Sequence, residues 1–141
     1  MVLPASELWP IVLQMAKPLT IAVKRIHDAS GTADGTRFLV DRLWPRGVSK
    51  EKAALAAWLK PLSPSEALRK RFHGETAESD EAWDAFRIDY FAELDAGGDE
   101  VRAALFVLDS AAAAGPVTLL YAAKSEERNN AIALREWLER R

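Results

Sequence analysis

The chain of 141 residues contains no cysteine, so disulfides, thiolate metal sites and cysteine nucleophiles are excluded. This suits a reducing compartment, and the cytoplasm is the default expectation. Histidine is nearly absent too: only His27 and His73 occur, and neither has a second histidine or spaced carboxylate that would make a metal pattern. No metal is implied by residue spacing, and the sequence leaves any cofactor unknown. Long apolar runs are missing as well. The stretch near the N-terminus, residues 8–16, is too short to span a bilayer, is interrupted by Pro10, and lacks a basic leader or small-residue cleavage site, so no membrane association is expected. Three motifs are absent: a Walker-type Gly-x-x-x-x-Gly-Lys loop, a Gly-x-Gly-x-x-Gly dinucleotide fingerprint and a Gly-x-Ser-x-Gly elbow. Known nucleotide-binding and serine-hydrolase readings lose support.

What is present is ordinary for a globular domain: 49% apolar and 28% charged residues, with a formal net charge of −2. The charge is segregated along the chain. Residues 37–71 are strongly basic and residues 75–100 strongly acidic, with Arg87 the one base among the latter. Such asymmetry suits an electropositive face for an anionic ligand, and equally suits acidic helices folded back over basic segments.

Residues 1–19 read as an appendage, helical or disordered, ahead of one domain over 20–141. Residues 20–26 and 36–43 are rich in Val, Ile, Leu and Phe and flank Gly31 and Gly35, which predicts two strands whose relative direction is open. Ser49 is a candidate cap for a helix over 49–59, with Leu55, Trp58 and Leu59 inward. Ser63-Pro64-Ser65-Glu66 predicts a second helix start, with Ser63 as cap, running to about residue 74. Trp83, Phe86, Tyr90 and Leu94 predict an amphipathic helix over 80–96, ended by Gly97-Gly98. Another helix, capped by Asp99, carries Val101, Leu105 and Leu108 inward. Residues 117–123 lack polar alternation, as in a central strand covered on both faces, and Ser125 is a candidate cap for a last helix to about residue 138. Helices between the second and third strands favour parallel pairing. The expected fold is α/β: a single compact domain with a small, mostly parallel sheet covered by helices.

A parallel sheet would gather the polar strand ends at one edge, where open α/β sheets bind ligands. That edge would hold Asp41, Arg42 and Arg46 near Lys124 and Asn130, with helix N-termini expected at Lys50 and Glu126. A small anionic ligand is the natural guest. Arg46 and Arg42 would hold it, Gly47 would allow close approach, Lys124 would neutralise charge and Asn130 would hydrogen-bond. Asp41 is the candidate general base, although orienting a guanidinium suits an arginine-paired carboxylate better. Arg25 and Arg69 are further ligand candidates, or members of surface pairs. Trp44 is a core aromatic or a pocket wall, and Tyr121 needs a partner for its hydroxyl, in a pocket or on the backbone. His27 fits a turn and His73 a helix end better than catalysis.

The strings Val23-Lys24-Arg25-Ile26, Trp58-Leu59-Lys60 and Asn129-Asn130-Ala131, residues 39–47 and 119–124, and Pro64-Ser65 with Leu68-Arg69 together resemble the YeaO-like branch of the DUF488 family, over about residues 20–140. The resemblance implies a compact, usually bacterial, α/β domain without a settled activity. It marks Arg25, Asp41, Arg42, Trp44, Arg46, Ser65, Arg69, Tyr121, Lys124 and Asn130 as matched positions. Departures are His27 where tyrosine is common, Gly74 where a second histidine often follows, and Arg128 where histidine often precedes the asparagines. They weigh against a histidine mechanism. The leading expectation is binding of a phosphate- or carboxylate-bearing small molecule, with hydrolysis or transfer as its catalytic version. The alternative is a nucleic-acid-binding or protein-binding module.

Overall fold

The computed structural model describes residues 20–74 and 79–141, with side chains given as far as Phe72 in the first stretch. The appendage expected over residues 1–19 and the side chain of His73 lie outside the described residues. Four strands, β1 (Ile21–Arg25), β2 (Thr36–Leu39), β3 (Ala57–Trp58) and β4 (Val117–Tyr121), form one sheet in the order β1-β4-β2-β3. All pairs are parallel. Among the described residues five α-helices accompany them: α1 (Lys50–Ala53), α2 (Glu66–Gly74), α3 (Asp80–Asp95), α4 (Asp99–Ala114) and α5 (Asn130–Arg140).

The unbroken apolar run of β4 is explained by its place between β1 and β2: all five of its residues are buried. Thr118, the polar residue of the run, donates its hydroxyl to the Asp34 carbonyl at 2.7 Å, so no hydrogen-bonding group is wasted. Because β4 enters between them, β1 and β2 are parallel without being neighbours. Their short link therefore never has to make a crossover between adjacent strands.

The two faces are unequal. Phe38, Val40, Val117, Leu119 and Tyr121 pack on one side with Leu68, Phe72, Phe86, Tyr90, Leu108 and Leu134, so α2 to α5 all lie on that face. Leu39 and Leu120 face the other way, packed among the described residues with Ile26, Ala53 and the partly buried Trp44, Val48, Leu55 and Ala122. Most of that cover, Ile26 and Ala122 apart, comes from the stretch between β2 and β3.

Several local expectations are corrected. Ser49 caps α1 as expected, accepting from the Lys52 N–H at 3.1 Å, but the helix ends after one turn instead of running to residue 59. The reason is tertiary. Buried Arg37 on β2 donates from Nε and Nη2 to the Ala53 carbonyl, at 3.0 and 2.9 Å, and so takes the acceptor that a continuing helix would offer to Ala57. Ala54 then turns left-handed (φ 49°), and Ala56 and Leu59 donate to the Arg37 and Leu39 carbonyls, laying Ala57 and Trp58 along β2 as an edge strand.

The cap of α2 is Ser65, whose hydroxyl accepts from the Leu68 N–H at 3.2 Å, whereas Ser63 closes the preceding turn by donating to the Lys60 carbonyl at 2.6 Å. The capping glutamate is Glu93 of α3, which accepts from the Ser65 N–H at 2.9 Å and from its hydroxyl at 2.5 Å. Both roles of a local capping box are thus filled across two helices. α4 is preceded by Gly98 in the cap position, so Asp99 is its first residue. At the far end, Ser125 accepts only from the Arg128 N–H, and the cap of α5 is the buried Asn129, which accepts from the Ile132 N–H at 2.9 Å. β2 is also shorter than expected, ending at Leu39, with one further bond from the Val40 N–H to the Leu120 carbonyl at 3.1 Å.

Candidate functional site

The C-terminal ends of β2 and β4 lie side by side, since Leu39 pairs with Leu120. Just beyond them, the Asp41 carboxylate accepts from the Ala122 N–H at 3.0 Å through Oδ2, and from Asn130 Nδ2 at 3.0 Å through Oδ1. Asn130 Nδ2 also donates to the Val40 carbonyl at 2.9 Å, and the Trp58 indole donates to the Asp41 carbonyl at 2.6 Å. Asp41 and Asn130 therefore pin together the ends of two strands and the start of α5. Replacing Asn130 with alanine strips partners from a backbone carbonyl and a carboxylate oxygen at once. We expect a loss of about 2 kcal/mol, within the usual cost of stranding partly buried acceptors. Chemical denaturation at neutral pH checks this, and an unchanged midpoint would show that the pin carries no load.

Beside this pin is a cleft of about 280 Å³, lined on its polar side by Asp41, Arg42, Arg69, Arg128, Asn129 and Asn130. Its apolar walls come from Leu43, Trp44, Pro45, Pro64, Phe72 and Phe86, with Ala122 and Ala123 at the strand end. Trp44 is held by donating from its indole to the Val48 carbonyl at 2.8 Å, and it meets Trp58 edge-on at 5.7 Å between ring centroids. Phe72 and Phe86 stack at 4.4 Å. Below them Tyr90 is fully buried; burial, then the charges of Asp41 and Glu93, push its phenol well above the ordinary value, and its hydroxyl donates to the Leu62 carbonyl.

Among the three arginines of the cleft, Arg128 is paired with Asp80 at the start of α3. Arg42 and Arg69 have no hydrogen-bond or ion-pair partner among the described residues, and Arg69 Nε is buried away from solvent without an acceptor. Each such donor gives up water on folding; Arg25 Nε and Arg87 Nε share this state, but of the three residues Arg69 is the one that lines the cleft.

The sequence candidates thus divide. Asp41, Arg42, Trp44, Arg69 and Asn130 line one cleft. Arg46 and Gly47 stand exposed at a turn, where Gly47 takes a positive φ of 75°, and neither lines the cleft. Lys124 is likewise exposed and outside the lining. Of the two expected helix N-termini, the one at Lys50 is formed, as a single turn, while α5 starts at Asn130 and not at Glu126. Arg25 and Tyr121 are register partners on β1 and β4, away from the cleft. The Tyr121 phenol is raised by burial and by Glu126 and Asp28, with Arg25 opposing. His27 is exposed in the turn after β1.

Sequence reasoning passed over Arg128, Pro64, Phe72 and Phe86 as site residues. Arg128 carried a signal, since it directly precedes Asn129-Asn130, whereas Phe86 belongs to a helical stripe that reads as core. The segregated charge is in part folded back on itself, as Arg71 of the basic stretch pairs with Asp89 of the acidic one. Among the described residues, no three His, Asp or Glu side chains gather as metal ligands, and no helix is long and apolar enough to cross a membrane.

The uncharacterized protein YeaO of Escherichia coli (strain K12) is 42% identical over 120 residues, 85% of this chain and 97% of that protein. The uncharacterized proteins Rv3073c of Mycobacterium tuberculosis (strain H37Rv) and Mb3100c of Mycobacterium bovis are each 31% identical over 127 residues, covering 90% of this chain and 100% of each relative. No solved structure matches the chain. The family model described as the inactive DUF488-N3 subclade matches residues 20–141, and with the YeaO similarity it establishes that this chain belongs to the DUF488 family, in its YeaO-like branch.

Proposed function

We propose that this chain is a noncatalytic binding protein whose cleft takes a small carboxylate- or phosphate-bearing molecule, with Arg69 and Arg42 holding the anion. The observation that carries this reading is that Arg42 and Arg69 line one cleft with no hydrogen-bond or ion-pair partner among the described residues, which leaves guanidinium donors there for an anion. A carboxylate or phosphate oxygen is the complement of such a donor, and a planar guanidinium offers it two parallel bonds. Noncatalysis is supported by the lining, in which the described residues include no histidine, serine, lysine or tyrosine. Its one carboxylate, Asp41, is occupied in joining strand ends. The subclade's description as inactive points the same way.

The nucleic-acid alternative draws less support. Two members of the Arg69-Lys70-Arg71 cluster already pair with acids, Lys70 with Glu66 and Arg71 with Asp89.

The test is a thermal-shift screen of small carboxylates and phosphate monoesters on the wild type and Arg69→Met. A ligand at a hundredfold excess over its Kd should stabilise the wild type by about 2.7 kcal/mol, and Arg69→Met should abolish most of that gain. Lys124→Ala, outside the cleft, should leave it intact. Equal stabilisation of Arg69→Met and wild type would remove the proposal.

A further inference from the structure

Resting on the preceding reading, we infer that the ligand is amphiphilic: a flat apolar ring carrying a single carboxylate or phosphate monoester, and neither a free inorganic anion nor a polyphosphate. The charge available sets the upper limit. Only Arg42 and Arg69 line the cleft without a hydrogen-bond or ion-pair partner among the described residues, while Arg128 is engaged by Asp80. Two guanidiniums match one anionic group. A chain of phosphates would bring more charge than these two guanidiniums match, and the surplus would lose its water without return.

The walls set the lower limit. Most of the remaining lining is apolar, including Leu43, Trp44, Phe72 and Phe86, and an inorganic anion would leave these surfaces wet. Leu43 adds an independent sign: 55% of it is exposed although it borders the cleft, so a large apolar side chain at the rim is left half-uncovered. The apolar part of a ligand seated below would cover it and gain from the burial. A volume of about 280 Å³ lies just under the range of pockets for drug-sized molecules. One ring with one anionic group suits that space. Trp44, Phe72 and Phe86 are among its lining residues, and aromatic contacts favour a flat partner.

The experiment compares matched probes by titration calorimetry: phenyl phosphate against inorganic phosphate, and benzoate against acetate, on the wild type, Leu43→Ser and Arg69→Met. Each ring-bearing probe should bind at least about tenfold more tightly than its ringless counterpart. Leu43→Ser, a rim substitution compatible with folding, should narrow that ratio while leaving the ringless probes unchanged. Arg69→Met should weaken every probe that binds. If ringless and ring-bearing probes bind equally, the ring requirement is overturned while the anion site stands. If none of the four binds, or if the ring-bearing probes ignore Arg69→Met, the preceding reading falls and takes this inference with it.

Discussion

Gly35→Ala should destabilise the domain by about 4 kcal/mol, a large share of the stability of a single domain. Gly35 joins the turn at Thr32–Asp34 to β2 and sits at φ 64°, ψ −133°, a region that side-chain-bearing residues rarely enter. A Cβ there would lie 2.2 Å from the Pro116 carbonyl oxygen and 2.8 Å from its carbon. Neither is a flexible side-chain end. That oxygen also accepts from the Thr36 N–H at 3.0 Å, so moving it aside would unfasten β2 from the start of β4. Backbone strain contributes about 1–3 kcal/mol and the overlap about as much again. Gly47→Ala separates the two effects: its φ is 75°, yet nothing lies within 4 Å of the added carbon, so only the strain of about 1–2 kcal/mol should be felt. Urea denaturation of both variants measures this, and equal losses would refute the steric part.

Arg37→Met is expected to cost about 3 kcal/mol at neutral pH, because it keeps the buried stem but removes every donor. Arg37 is only 5% exposed. Besides holding the Ala53 carbonyl, it donates from Nη1 to Asp34 at 2.5 Å, and Asp34 also accepts from Lys24 at 3.2 Å and from the Gly31 N–H at 3.0 Å. Burial alone would raise the Asp34 carboxyl, but the Gly31, Lys24 and Arg37 hydrogen bonds together hold it below its ordinary value of 3.8. A carboxyl lowered on folding adds stability that is fully present above the unfolded value and is lost as pH falls through the folded one. Wild-type stability should therefore decline below about pH 4 through this group. Without Arg37 the folded value moves back toward the ordinary one, so the gap between wild type and variant should be smaller at pH 2 than at pH 7. A gap independent of pH would show that Arg37 acts through Ala53 alone. In that case α1 should still lose its end, since the carbonyl would again be free to continue the helix toward Ala57.

Where the sequence was legible, the cause was short-ranged. The run Val117 to Tyr121 announced a strand covered on both faces because every residue of it is buried. Trp83, Phe86, Tyr90 and Leu94 announced α3 because three- and four-residue spacing puts them on one side of a helix. Asp41, Arg42, Trp44 and Asn130 were recognisable as a group because polar residues following apolar strands in an α/β sheet meet at one edge. Arg69 was named without a sign of which way it pointed; packing of α2 against α3 turned it inward, to the cleft.

What could not be read depended on partners far along the chain. The end of α1 depends on Arg37, sixteen residues earlier, and the cap of α2 on Glu93, twenty-eight residues later than Ser65. Arg46, Gly47 and Lys124 looked like site residues from spacing alone, and the turn at Gly47 and the course of the chain after β4 left them outside the cleft. Composition and periodicity by themselves determined the class of fold, its central strand and the edge at which polar groups collect, because burial and helical spacing are written locally. Only the tertiary structure decided which arginines share a cleft, and what Asp41 and Asn130 join, because a side chain's direction is settled by distant groups that compete for the same hydrogen bonds.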